Sequence, residues 1–420
     1  MELSRIQRIR AYDEGTGSAN FATDRSSAIA SFVDVLHNNA ECKIDVEMLD
    51  NEQTNTYPHE NRFAYLGKRA GTLSMEFDLR STGTALTSGA TPPASPDWHP
   101  GYLLSPALGF DDADAGSTEA SGGASTTTSM IVSTGHGSRF AAGGCYGFVK
   151  ANGYVECREI DSISTDTLTP KVTMSEAPPN TCIVYNSVMI VPGDDADNSL
   201  QFAIEGDERD DIWWLRGAQC SSLSINMEIG KLIRCKMDWS AADYRHDDDV
   251  GTPLGSGNLA QPTETGSQPI VFLNSEVLLT SGSQPQTRTE IDPTDIAISI
   301  TRDLQPVPAP NGVNGVRRWF VVPGRDAVTV ELTIPVSGSN IATYEDGMLA
   351  RTAYSLWIQC GRSAPGIFCF SLPYAQIRSI ERVDKSGFRA IKIKLVGDID
   401  RNLASFGWQG YRAPYRMFFL

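Results

Sequence analysis

Basic residues are in short supply in this chain. Lys and Arg number 35 against 51 Asp and Glu, giving a formal net charge of -16 and a pI of about 4.8. A protein that grips nucleic acid through its phosphates needs a basic face, so the composition argues against that class and fits a surface that repels DNA. Long apolar runs are missing too. No stretch approaches the ~20 apolar residues of a membrane-spanning helix. The segment Met1–Arg10 holds no apolar run of signal-peptide length. Histidine is rare: His37, His59, His99, His136 and His246 show no metal-ligand spacing and no H-E-x-x-H pattern. The 8 cysteines form no C-x-x-C pair. They read as free buried thiols of a protein made in a reducing cytoplasm, with a disulfide framework as the minority alternative.

Other catalytic signatures are absent as well. Gly135-His136-Gly137-Ser138 lacks the G-x-S-x-G pattern and strand-to-helix context of a nucleophile elbow. No phosphate-binding G-x-x-x-x-G-K-[ST] occurs. Asp194, Asp195 and Asp197 suggest a Ca²⁺ loop, but a loop starting at Asp195 has Leu200 where an EF-hand needs Gly. Asp247–Asp249 beside His246 reads as a solvated charge run. Asp210 and Asp211 are sequence neighbours and point to opposite faces of a strand, poor geometry for paired acid–base work. Arg317-Arg318-Trp319-Phe320 is a weak nucleic-acid platform in so acidic a chain, and Asn311–Gly315 reads as a hairpin turn. Trp213-Trp214 is expected to place one indole in the core and one at an interface, with a sugar platform as the alternative. No catalytic, cofactor-binding or metal-binding residue is assigned, and no cofactor is expected.

What the chain has in abundance is period-two alternation, the mark of half-buried strands. The organising stretch is Leu200–Trp239, where Leu223, Ile225 and Met227 alternate with Ser and Asn, and Ile233, Cys235, Met237 and Trp239 with Arg, Lys and Asp. Ile212–Leu215 is expected to stop at Gly217, and Gly230 to turn the chain. Further strands are expected at Cys42–Met48, Gly71–Arg80, Tyr146–Glu159 and Ile183–Val191. In the second half they are expected at Ile270–Leu279, Asp295–Ile300, Trp319–Val322, Val328–Ile334, Tyr354–Cys360, Ile367–Leu372 and Gly387–Val396. Residues 23–41 carry apolar Ile29, Phe32, Val33 and Leu36 at helical spacing. That helix is expected to pack on its own domain, with an arm docked on a neighbour as the alternative. Short helices are expected at Tyr102–Leu104, cut by Pro106, and at Asp346–Ala353. Asp111–Ser138 is low in complexity and reads as a flexible loop, and about 247–269 reads as a linker.

The two halves echo each other in plan. Strand, Gly217, connection, Gly230 and alternating strand in the first half match strand, Gly361, a longer connection, Gly387 and alternating strand in the second. The expected fold is mainly β, with two tandem antiparallel β-sandwich or rolled-sheet units, short flanking helices and long loops, over 1–250 and 251–420.

Several pieces in order resemble the major tail tube proteins of long, non-contractile bacteriophage tails. They are Gly71–Phe77, Leu103–Phe110, Arg216–Cys220 running to Gly230, and Phe370–Gln376 running to Gly387. The resemblance implies a structural virion protein whose rings stack into a tube around a tape-measure protein. It also implies contacts with tail-terminator and distal-tail proteins, transient passage of DNA, no membrane and no enzyme activity. Assembly in the bacterial host cytoplasm follows from the same likeness. A duplicated chain would close as a trimer with pseudo-sixfold symmetry; a hexamer of single-fold chains is the alternative. The rival function is a carbohydrate- or receptor-binding β-sandwich of a fibre or capsid decoration, using Trp213, Trp214 or Trp319.

Overall fold

The structure is a computed structural model. It describes residues 8–14, 22, 32–49, 65–81, 101–113, 119–120, 125–180, 182–192, 199–205, 212–247, 268–282, 286–321, 327–336, 340–363, 366–385, 387–398 and 413–420. The chain is mainly β and antiparallel, as expected.

The first strands are β1 (Arg8–Asp13), β2 (Val33–Val35), β3 (Asn39–Leu49) and β4 (Tyr65–Asp78). Helix α1 (Gly101–Leu108) leads directly into β5 (Gly109–Ala113). Next come β6 (Glu119–Ala120), β7 (Met130–Ile131), β8 (Cys145–Val149), β9 (Val155–Ser164), β10 (Thr167–Pro170), β11 (Ile183–Asn186) and β12 (Val188–Pro192). The organising stretch is β13 (Leu200–Glu205), β14 (Ile212–Glu228) and β15 (Arg234–Asp247). The second half holds β16 (Glu276–Ser281), β17 (Asp295–Thr301), β18 (Leu304–Val313), β19 (Val316–Val321), β20 (Ala327–Pro335) and α2 (Asn340–Leu349). It ends with β21 (Tyr354–Cys360), β22 (Phe368–Lys385), β23 (Phe388–Gly397) and β24 (Arg416–Phe419).

One branched 16-stranded sheet runs through both halves. Its apolar face encloses the largest core, where alternation works as read: Leu223, Ile225 and Met227 are at most 1% exposed. Trp239 lies under the same face and meets Phe202 edge to face at 5.1 Å. Burying a side chain of this size contributes roughly 1.5–3 kcal/mol. A second sheet, β6-β11-β8-β9-β10-β7, wraps its own core of Met130, Tyr146, Phe148, Ile160 and Leu168. The β18–β19 hairpin stands apart as a two-stranded ribbon.

Several expectations need correction. Where the helix over 23–41 was expected, the described part is strand: Val33–Val35 pairs with β1, and β3 begins at Asn39. Residues 23–31 lie outside the described residues. The apolar stripe is not realised, because Val33 is 41% exposed while Phe32 packs on Tyr12 and Trp214. Gly217 does not end a strand. It takes φ +59° inside β14, where the β13 pairing carries an extra residue, so the strand bends and continues. The longer connection expected between Gly361 and Gly387 is largely strand β22 itself. Pro106 sits inside α1, and α2 starts at Asn340 rather than Asp346.

The segment Asp111–Ser138 is only partly a loop. Its start is strand β5, paired with β12, and Met130 and Val132 are fully buried. Polar composition misleads here because the partners come from later strands. Residues 114–118 and 121–124, the linker region 248–267, and Asp194, Asp195, Asp197, Asp210 and Asp211 lie outside the described residues.

Candidate assembly surface

The same order of neighbours occurs twice in the main sheet. One series is β3-β4-β15-β14-β13, the other β17-β20-β23-β22-β21. Their irregularities coincide. The β14–β15 pairing has an extra residue between Cys220 and Ser222, and the β22–β23 pairing has one between Ile377 and Ser379. The β13–β14 shift at Leu200/Phe202 has its counterpart in the β21–β22 shift at Tyr354/Leu356. With those bulges aligned, Leu215 falls on Leu372, Ala218 on Ala375, and Gly230 on Gly387. The last two turn their hairpins at φ +76° and +87°, and a Cβ at either would meet nothing within 4 Å. Glycine is there for backbone conformation, not for space. α1 stands between β4 and β13 and packs on β14; α2 stands between β20 and β21 and packs on β22.

The two series meet in one joint. Ser222–Glu228 of β14 runs antiparallel to β17, from Ser222 opposite Thr301 to Glu228 opposite Asp295. Leu223, Ile225 and Met227 pair with Ile300, Ile298 and Ile296 on the core face. The opposite ends of the sheet lack such a partner among the described strands. Among the described strands, β3 pairs with β4, and β22 past Ala375 pairs with β23.

The other face of this sheet is polar and of mixed sign. Lys236 lies opposite Glu76, and Glu331 bridges Lys392 at 2.6 Å and Lys394 at 3.3 Å. The hydrogen bond from Lys392 holds the Glu331 carboxyl below its usual range, and Glu331 raises Lys392 in return. The hairpin tips carry exposed apolar side chains: Ile229 at 55%, Leu232 at 38% and, on the second tip, Phe388 at 37%.

A family model described as phage tail tube protein matches residues 60–410, most of both series. The chain belongs to that family. No curated protein matches it. The chain is therefore a structural component of a phage tail, and its family implies self-assembly into a tube and contact with other tail proteins.

In this tail tube subunit, the residues singled out from sequence hold the fold. Trp213 and Trp214 are both buried, at 3% and 1%. The expected split between core and interface fails because both sheet faces are covered there, Trp214 by Phe32 and Trp213 by Tyr244. Neither offers a sugar platform. Trp319 donates from Nε1 to the Gly217 carbonyl at 2.7 Å. Asn314 and Gly315 take φ +49° and +77° in the β18–β19 hairpin, as the sequence predicts. Asn314 also donates to the Arg69 and Ala242 carbonyls, fastening that ribbon to the first series. Gly135 and Gly137 donate their N–H groups to Asp166 at 3.0 Å each, and those bonds hold its carboxyl below the usual range. That motif is a capped turn.

Sequence reasoning missed the chemistry that seats the second sheet on the second series. Gln359 accepts from the Cys157 N–H and donates to the Val155 carbonyl, both at 2.9 Å. Arg158, 1% exposed, forks onto Glu276 at 2.8 and 3.0 Å and meets Glu156 at 2.6 Å. Burial pushes the Glu276 carboxyl up, but Arg158 and Arg288 outweigh it and leave it below its usual range. Glu159 pairs with Arg416 and accepts from Ser371. Beside them Cys145, Cys157 and Cys369 bring their sulfurs within 4.8 Å of one another, fully buried. Burial raises the Cys145 and Cys369 thiols; at Cys157 hydrogen bonds from both, with Arg158 nearby, overcome burial and lower it. The cluster offers a soft ion three sulfurs, with no fourth His, Cys, Asp or Glu grouped with them among the described residues. The only sequence signal was cysteine at inward strand positions; the adjacent strands β8 and β9 and the distant β22 bring them together.

Proposed function

We propose that the chain is a tandem of two tail-tube-like units, and that three copies close a ring of pseudo-sixfold symmetry. The recurrence of one strand order with matching bulges and turn glycines carries this reading. Each copy brings eight strands to the ring: β3, β4, β15, β14, β17, β20, β23 and β22. Three copies at about 4.8 Å per strand give a closed sheet roughly 35 Å across, and barrels of more than ~16 strands enclose an aqueous channel. The polar face, laced with Lys–Glu pairs and set in a chain of net charge -16, suits a lumen that DNA crosses without binding. The exposed apolar tips at Ile229, Leu232 and Phe388 suit contacts between stacked rings.

In this role the tube belongs to a long, non-contractile tail, forms around a tape-measure protein in the host cytoplasm, and is bounded by tail-terminator and distal-tail proteins. It then conducts DNA during ejection. The work is passive and uses no catalytic group. Negative-stain microscopy of the purified chain tests the reading. Rings or tubes are the expected result; dispersed monomers at all concentrations and salts overturn it.

A further inference from the structure

The second sheet and the main sheet meet at three sulfurs. Cys145 of β8, Cys157 of β9 and Cys369 of β22 are at most 1% exposed, and their sulfurs lie within 4.8 Å of one another. Strand geometry puts them there. Gly147 lies opposite Cys157 in the β8–β9 ladder, so Cys145, two residues before Gly147, shares its face. Ser371, two residues after Cys369, donates to Glu159, two residues after Cys157. Gln359, opposite Cys369 in the β21–β22 ladder, fastens the Cys157 N–H at 2.9 Å. Contacts on both sides therefore hold Cys157 and Cys369 in register before any ligand arrives. We propose that the three cysteines bind one Cu(I) ion, three-coordinate and all-sulfur, as a staple between the two sheets.

The donor set and its surroundings select the ion. Thiolates favour soft cations such as Cu(I). A planar three-sulfur site with metal–sulfur bonds of about 2.3 Å sets its sulfurs about 4 Å apart, inside the observed spacing. Zn(II) takes four ligands in structural sites. Among the described residues no fourth His, Cys, Asp or Glu is grouped with the three, so zinc would need a water here. Val155, Leu278, Trp357, Phe418 and Leu420 belong to the same buried apolar cluster, which disfavours a water ligand. Gly147 leaves the Cys157 sulfur its space: a Cβ there would come within 3.2 Å of Sγ. The charge of Arg158, next in the chain, favours thiolate at Cys157. Binding exchanges thiol protons for the ion, with no change in oxidation state. Because none of the three cysteines is exposed, the ion is captured as the sheets dock, and its binding free energy adds to folding.

Metal content tests this. The full chain is expressed in medium supplemented with copper or with zinc, purified under reductant with a chelator present, and analysed for bound metal and by X-ray absorption. One Cu(I) per chain with three sulfur neighbours is expected, together with a higher melting temperature than that of the copper-free chain. Cys369→Ser replaces a soft donor by a hard one and is expected to weaken copper retention at least about tenfold. Cys42→Ala, outside the cluster, is expected to keep the ion. Zinc retained in preference to copper, or copper with two or four sulfur neighbours, overturns the three-coordinate assignment. No metal in the unmodified chain, or full copper retention in Cys369→Ser, overturns the site. The unmodified chain decides the matter even where a variant fails to fold.

Discussion

β14 and β22 hold the same place in their series, yet their distal halves differ. In β14, Leu223, Ile225 and Met227 are buried beside β17. In β22 the matching positions are Ile380, half-buried, and Arg382 and Asp384, exposed. Same order, same bulges and same turn, but one strand has a neighbour on each side and the other, among the described strands, has β23 alone. An inward position stays apolar only where a second strand completes the layer beneath it. The contrast locates the open side of the sheet among the described strands.

The comparison can be broken at its support first. Among the described residues it is the second series that carries the extra sheet, held by Arg158 between Glu156 and Glu276. Arg158→Ala leaves Glu276 with Arg288 alone and Glu156 with Lys150 alone, and is expected to cost up to about 3–5 kcal/mol, measured by denaturant melts. A loss under 1 kcal/mol would show that the two series stand independently of that sheet. Next come the turns. Gly230→Val and Gly387→Val each force a β-branched residue to positive φ, for about 1–3 kcal/mol apiece. Similar losses support the equivalence of the tips; an effect at Gly230 alone contradicts it.

Acid sharpens the same contrast more gently. The Glu276 carboxyl is held below its usual range, so its contribution is present above the unfolded value near 4.5 and is lost as pH falls through the folded value. Stability is expected to drop below that pH, and Glu276→Gln, already weakened at neutral pH, is expected to drop less. An identical acid profile in the variant would remove Glu276 from the account. The smallest effect is expected from deleting Ala115–Ser129. That removes the two-residue β6 and the Ser125 hydroxyl that accepts from the Ile131 N–H at 3.0 Å. One cooperative melt should remain, lower by about 1 kcal/mol; a split transition would show that the segment is integral to the core.

Much of this architecture was legible in the residues. Strict alternation in Leu223–Trp239 and Asp295–Ile300 located the long strands, and Gly230 and Gly387 marked the turns. What was not legible depended on partners distant in sequence. The apolar spacing of Phe32, Val33 and Leu36 fits a helix as well as a strand, and only the ladder to β1 decides between them. Asp111–Ser138 looks unfoldable until β12 and β10 supply its pairing. The assembly surface was half visible: the echo around the glycines pointed to it, whereas the bulges that fix the register are invisible without the ladders. The Arg158 and three-cysteine clusters join strands on opposite sides of the chain's midpoint, beyond the reach of any local pattern.

Electron cryomicroscopy of assembled tubes is the most direct test of the tandem account. It predicts three copies per ring, with β3 through β22 of each copy forming eight consecutive strands of one closed sheet. Six copies per ring, or a lumen lined by only one of the two series, would contradict it.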